Sequence, residues 1–101
     1  MVFTPEAEDQ IGELYRYIAE AATIEVAAGY VEAVISYCEG LTQFPLRGLA
    51  RDDIRPGLRT ISYKKRTVVA FAVLNDTVAI IGVFHGGRDY DAILSESGDL
   101  E

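Results

Sequence analysis

Residues 54–94 read IRPGLRTISYKKRTVVAFAVLNDTVAIIGVFHGGRDYDAIL and carry three strand signals in succession. Runs 68–74 and 78–84 are apolar and rich in β-branched residues, each of strand length. Asn75-Asp76-Thr77 lies between them. Asn and Asp tolerate positive φ and bond their own backbone, so this spacing predicts a hairpin over 67–84. A preceding strand over 58–63 joins the middle one through Lys64-Lys65-Arg66. The expected unit is a β-meander over 54–85 with a cationic turn at one end. Both later strands are apolar at nearly every position, so the sheet needs cover on part of its second face, which the first half of the chain is expected to supply. Gly86-Gly87 permits a tight turn, Asp89 and Asp91 suit the first turn of a short helix over 86–94, and 95–101 reads as a disordered acidic tail.

Upstream of the meander the period changes from two to 3.6. Thr4-Pro5 is a helix start: Thr caps orphan N–H groups and Pro is pre-set for the first helical position. Ala7, Ile11, Leu14, Tyr15, Ile18 and Ala22 form one apolar stripe. Thr23 reads as a second cap, followed by a stripe of Ala27, Tyr30, Val31, Val34, Ile35, Cys38 and Leu41, with Pro45 as the stop. Two helices within 4–45 joined by almost no loop must lie antiparallel. Gly29 costs the second helix about 1 kcal/mol relative to Ala, and close approach of a neighbouring element is the expected compensation. Residues 1–3 form a possible edge strand, and 46–53 a loop crossing to the meander. The fold class is therefore α+β, a two-helix hairpin on a small antiparallel sheet, with Ile11, Leu14, Ile18, Val31, Val34, Ile35, Phe71, Val73, Ile80 and Val83 as core.

A chain of 101 residues, half of them hydrophobic, fits one domain. Its one cysteine, Cys38, cannot form an internal disulfide and sits at an apolar helical position, which favours a core role over a nucleophilic one. No stretch approaches the roughly 20 apolar residues of a membrane span, so a cytoplasmic setting is expected. Net charge is −7, but it is polarised. Residues 1–45 hold eight acids and one base, 46–88 three acids and eight bases, and 89–101 five acids and no base. The average hides a basic face that coincides with the meander and the loop before it.

The order of elements and two local motifs resemble a known family. A helix hairpin, a loop ending in Arg55-Pro56-Gly57-Leu58-Arg59, a strand hairpin, and a last strand closing on His85-Gly86-Gly87-Arg88-Asp89 look like the ParE branch of the ParE/RelE toxin superfamily. That resemblance implies a toxin of a type II toxin–antitoxin system, held inactive by a cognate ParD-like antitoxin. In the ParE branch the target is DNA gyrase; in the RelE branch it is mRNA on the ribosome. The basic face then supplies the target-binding candidates: Arg55, Arg59, Tyr63, Lys64, Lys65, Arg66, His85 and Arg88. The antitoxin's C-terminal segment is expected across the helix hairpin, on Leu14, Ile18, Tyr30, Val34, Arg59 and Arg88.

Chemistry separates the two branches. Attack by a 2′-hydroxyl needs a proton acceptor, an acid for the leaving oxygen, and cations for the phosphorane. His85, Tyr63, Tyr90, Lys64, Lys65, Arg66 and Arg88 are the available parts. RelE-like nucleases spread basic residues along the middle strands, whereas 68–74 and 78–84 here carry no charge. Binding to gyrase is the favoured reading, without catalytic residues or cofactor, without a membrane, and without sequence-specific contact to nucleic acid. A ribonuclease, or an inactive member that only binds antitoxin, is the alternative. Plainer roles stand beside each candidate: His85 as a structural hydrogen bonder, Arg55 and Arg59 as braces of the Pro-Gly bend against Asp52 or Asp53, and Lys64-Lys65-Arg66 as a solvated turn guarding the sheet edge. One Cys and one His cannot make a zinc site.

Overall fold

Thr4 sets the geometry of the first half of the molecule. In the computed structural model, which describes residues 1–75 and 77–85, its side chain accepts from the Ala7 amide at 3.1 Å and caps helix α1 (Pro5–Ala21). The same residue pins that helix to the sheet. Its amide donates to the Ile80 carbonyl at 3.0 Å and its hydroxyl to the Ile81 carbonyl at 3.2 Å. Strand β1 (Val2–Phe3), just before it, runs parallel to the last strand, pairing Val2 with Ala79 and Phe3 with Ile80. Thr23 caps helix α2 (Ile24–Gly40) by accepting from the Val26 amide at 3.0 Å.

The sheet is completed by β2 (Leu49–Ala50), β3 (Leu58–Tyr63), β4 (Thr67–Leu74) and β5 (Thr77–His85), in the order β1-β5-β4-β3-β2. The three meander strands are antiparallel, as expected, and β4 lies at the centre. The parallel edge β1 makes the sheet mixed. β2 falls inside the segment expected as loop. It is only two residues long, too short to show alternation, and it exists because Gly48 lets the chain fold flat against β3. Gly48 has φ of 77°, and a Cβ there would lie 2.3 Å from the Thr60 carbonyl oxygen. Only glycine fits.

A bulge interrupts β4 and β5: Phe71 pairs with Ile80 but Ala70 with Gly82, leaving Ile81 as the extra residue. Helix α1 satisfies the polar groups that the bulge frees. Thr4 takes the Ile81 carbonyl, and Gln10 Oε1 accepts from the Val83 amide at 2.7 Å.

The helix-facing core joins Ala7, Leu14, Val34, Cys38 and Leu41 to Val69, Phe71, Val78, Ile80 and Val83. Ile11, Ile18, Val31 and Val73 pack on it partly buried, and Ile35 is half-buried outside that cluster. Leu58, Ala70 and Phe84 are buried on the opposite face together with Ile54 and Ile81. Two-sided burial accounts for apolar strands without alternation. Among the described residues, part of that second cover is Ile54, from the loop before β3 rather than from the helix hairpin.

Two local expectations change. Helix α2 ends at Gly40, and 41–43 continue as tight turns through bonds from Leu41, Thr42 and Gln43 to carbonyls three residues back. The chain has left the helix before Pro45 is reached. Gly29 is exposed, and a Cβ there would meet nothing within 4 Å, so no close approach compensates for it. The helix expected over 86–94, the tail 95–101, Arg88 and Tyr90 lie outside the described residues. No described helix is long and apolar enough to cross a membrane.

Candidate functional site

The last turn of α1, the first of α2, the β3–β4 turn and the end of β5 surround a groove of about 500 Å³. Its helical wall is Leu14, Tyr17, Ile18, Ala21, Ala22, Val26 and Tyr30; its sheet wall is Lys65, Arg66, Thr67 and His85. The walls differ in character because one comes from the apolar ends of two helices and the other from the cationic turn. Among the described residues no carboxylate lines it. Tyr17, Ile24 and Val26 are 56%, 63% and 53% exposed at or beside this groove, unusually open for large apolar side chains on helices.

Within the groove, Tyr17 and His85 are in ring contact, with centroids 4.8 Å apart. Tyr30 Oη and Thr67 Oγ1 are 2.8 Å apart, so one hydroxyl pair ties α2 to β4. Thr67 is fully buried, so this bond satisfies a polar group that has no access to water.

Beside the groove lies a row of aromatic and cationic groups. Tyr63 meets Tyr30 edge-on at 5.7 Å and Tyr37 at 5.0 Å. Lys64 Nζ lies 5.6 Å from the Tyr63 centroid, and the Arg47 guanidinium 5.6 Å from that of Tyr37. Each distance is within cation–π range.

The structure therefore brings together most of the candidates taken from the sequence and separates a few. Lys65, Arg66 and His85 share one groove with Leu14, Ile18 and Tyr30, while Tyr63 and Lys64 stand beside it. Val34 is fully buried in the core and offers a partner no surface, and Leu14, at 2% exposed, offers almost none. Arg59 works elsewhere: its Nε donates to the Arg47 carbonyl and its Nη2 to the Leu46 carbonyl, both at 2.8 Å. That guanidinium holds the loop leading into β2. Arg55 sits near the Pro-Gly bend, where Asp52 accepts from the Gly57 amide at 2.9 Å. Arg51 pairs with Asp53 at 2.9 Å, and its hydrogen bond holds that carboxyl below its ordinary pKa.

Tyr17, Ala21, Val26 and Thr67 line the groove without having been singled out in the sequence. Tyr17 and Val26 carried a usable signal, being large apolar residues off the apolar stripe of their helices. The fully buried Thr67 carried none.

A family model described as "ParE toxin of type II toxin-antitoxin system, parDE" matches residues 1–90. The chain belongs to the ParE toxin family. Toxin ParE3 of Caulobacter vibrioides is 27% identical over 96 residues, covering 95% of each chain. A solved structure titled "Chromosomal ParDE TA system from P. aeruginosa" has the same fold, with a TM-score of 0.72 over 83% of this chain and 91% of that one at 20% identity. This ParE-family toxin has the two-helix hairpin on a sheet that the resemblance in its motifs implied, with the sheet extended to five strands and made mixed by the parallel edge β1.

Proposed function

We infer that this ParE-family toxin arrests growth by binding DNA gyrase, without performing chemistry of its own, and that a cognate ParD-like antitoxin neutralises it. The observation that carries this reading is the groove, whose apolar helical wall faces a cationic strand end. That arrangement suits a docked protein segment: apolar side chains are desolvated on the helices while carboxylates meet Lys65 and Arg66. Ile18 and Tyr30 would receive the antitoxin, together with Tyr17 and Val26, over a floor formed by the buried Leu14. Lys64, Lys65, Arg66, Tyr63 and His85 would face the target, with Arg55 at its margin and Arg59 contributing through the loop that it holds.

One observation favours a second reading. His85, Tyr17, Lys65 and Arg66 line one cavity, and a histidine among cations is what RNA cleavage through a 2′-hydroxyl requires. Against it stand β4 and β5, which carry no charged side chain ahead of His85 among their described residues. A phosphate backbone crossing that sheet would meet apolar surface.

The deciding experiment adds purified toxin to a gyrase supercoiling reaction and, separately, to translating ribosomes. Inhibited supercoiling with intact mRNA, together with growth arrest in cells that the antitoxin relieves, supports gyrase binding. Cleaved mRNA with unaffected supercoiling supports the ribonuclease. Absence of growth arrest on induced expression would leave only antitoxin binding.

A further inference from the structure

Helix α2 and strand β3 meet along a row of tyrosines with a cation at each end. Tyr63 touches both Tyr30 and Tyr37; Lys64 Nζ lies 5.6 Å from the Tyr63 centroid, and the Arg47 guanidinium 5.6 Å from that of Tyr37. Lys64 and Arg47 are exposed, and the three rings are half-buried. Both cations stand on backbone that is held in place. The Arg59 guanidinium donates to the Leu46 and Arg47 carbonyls at 2.8 Å, which fixes the loop carrying Arg47. Lys64 opens a turn closed by the Arg66 amide on the Tyr63 carbonyl at 3.2 Å, with a φ of 52° that lysine rarely adopts. Exposed long side chains ordinarily lose such order to rotamer entropy, whereas here a ring beneath each one attracts its charge.

The hydroxyls between the two cations are free to bond a ligand. Tyr30 pairs its own with Thr67, but those of Tyr37 and Tyr63 have no hydrogen-bond partner among the described residues. The row is thus a line of donors: an ammonium, two phenols and a guanidinium. Its surroundings carry the same sign, since residues 46–75 hold seven bases and two acids. Both acids are engaged, Asp53 by Arg51 and Asp52 by the Gly57 amide. Cations and hydroxyls interleaved with rings suit a phosphate backbone. An acidic protein segment also needs an apolar wall for its aliphatic side chains. That wall is in the groove, which none of Arg47, Tyr37, Tyr63 and Lys64 lines.

We propose that Lys64, Tyr63, Tyr37 and Arg47 form a track for the phosphate backbone of a DNA strand, followed without regard to base sequence. The row is one residue wide and admits a single strand. The proposal rests on the reading that the toxin acts on gyrase, an enzyme that holds DNA. A net charge of −7 keeps DNA from the isolated toxin at ordinary ionic strength, so the contact forms where the target presents the strand. Low salt reveals it in the toxin alone, and a test without gyrase can fail while gyrase inhibition stands.

Purified full-length chain is titrated with a fluorescent poly-dT of about 15 nucleotides, a poly-rU of equal length, and poly-glutamate, between about 20 and about 150 mM salt. Wild type is compared with Arg47→Gln plus Lys64→Gln, with Arg47→Lys plus Lys64→Arg, with Tyr37→Phe plus Tyr63→Phe, and with Arg16→Gln, which removes a cation from α1. The Gln pair should bind poly-dT about tenfold more weakly at low salt, and the slope of log K against log salt should become shallower by about 1.4 as two phosphate contacts are lost. The exchanged cations and Arg16→Gln should keep the wild-type slope, and the Phe pair should lose about threefold in affinity at that same slope. Both cations being exposed, the Gln pair should melt within about 3 °C of wild type. Poly-dT that does not bind at the lowest salt, an unchanged slope in the Gln pair, or an equal change with Arg16→Gln would overturn the track. Poly-glutamate bound as tightly as poly-dT would give the row to an acidic protein, and poly-rU bound more than about tenfold tighter would give it to RNA; either would overturn the DNA assignment.

Discussion

Tyr30→Phe isolates the hydroxyl pair that joins the helix layer to the sheet beside the groove. The substitution keeps the ring, and with it the edge-on contact to Tyr63 at 5.7 Å. It removes a 2.8 Å bond whose other member, Thr67, is fully buried. A neutral hydrogen bond contributes about 0.5–1.5 kcal/mol net, and stranding a buried hydroxyl adds to that, so a loss of about 1–2 kcal/mol is expected. For a chain of 101 residues this is a melting temperature lower by about 5–10 °C. Thr67→Val should cost less, because Tyr30, unlike Thr67, is only half-buried. The double variant should be less destabilised than the two losses added together, by about 1 kcal/mol. Urea unfolding of the four proteins measures this directly. Strict additivity, or a Tyr30→Phe variant within about 0.3 kcal/mol of wild type, would refute the assigned bond.

Phe71→Ala and Ile80→Ala, at fully buried positions of the helix-facing core, should each cost about 2–5 kcal/mol in urea unfolding. Two glycine-to-alanine changes should have opposite signs: Gly29→Ala, on an open helical surface, should stabilise by up to about 1 kcal/mol, whereas Gly48→Ala, facing the Thr60 carbonyl at positive φ, should destabilise by more than that. Burial, with a smaller effect from Glu39, pushes the Cys38 thiol from 9.0 up to about 12. The stability gained by keeping it protonated is complete below pH 9 and should fall by about 1.4 kcal/mol per pH unit from there toward pH 12. At pH 8 a disulfide reagent should label Cys38 in urea but not in the folded chain.

Elements whose residues act locally were legible before the structure. Thr4, Thr23 and the apolar stripes set out both helices, and Asn75 announced the hairpin, whose own φ is 56°. Features that depend on a distant partner were less so. The edge strand expected at 1–3 is β1, but nothing local announced its parallel pairing with β5, and β2 exists only where Gly48 lies flat on Thr60. Arg59 reads from the sequence as a brace of the Pro-Gly bend against Asp52 or Asp53, yet it bonds the loop carbonyls of Leu46 and Arg47, and Asp53 is taken by Arg51. Val34 and Leu14 read alike on their helices, but only Leu14 reaches the groove. Whether an apolar helical residue faces a core or an open groove depends on what the other elements leave uncovered, and no spacing encodes that.

The central claim is that this toxin inhibits gyrase through a binding face instead of through an acid or base. Supercoiling by gyrase, titrated with wild type, His85→Gln, Lys65→Glu and Arg66→Glu at two ionic strengths, tests it most directly. Lys65 and Arg66 are better probes than Arg59, whose reversal would also release the loop that it holds. Exposed charges each contribute under about 1 kcal/mol and are screened by salt. The account predicts graded, salt-sensitive losses for the two reversals and substantial inhibition by His85→Gln, with mRNA intact throughout. Loss of about 10²–10⁴-fold with His85→Gln alone, insensitive to salt and accompanied by RNA cleavage in the wild type, would contradict it.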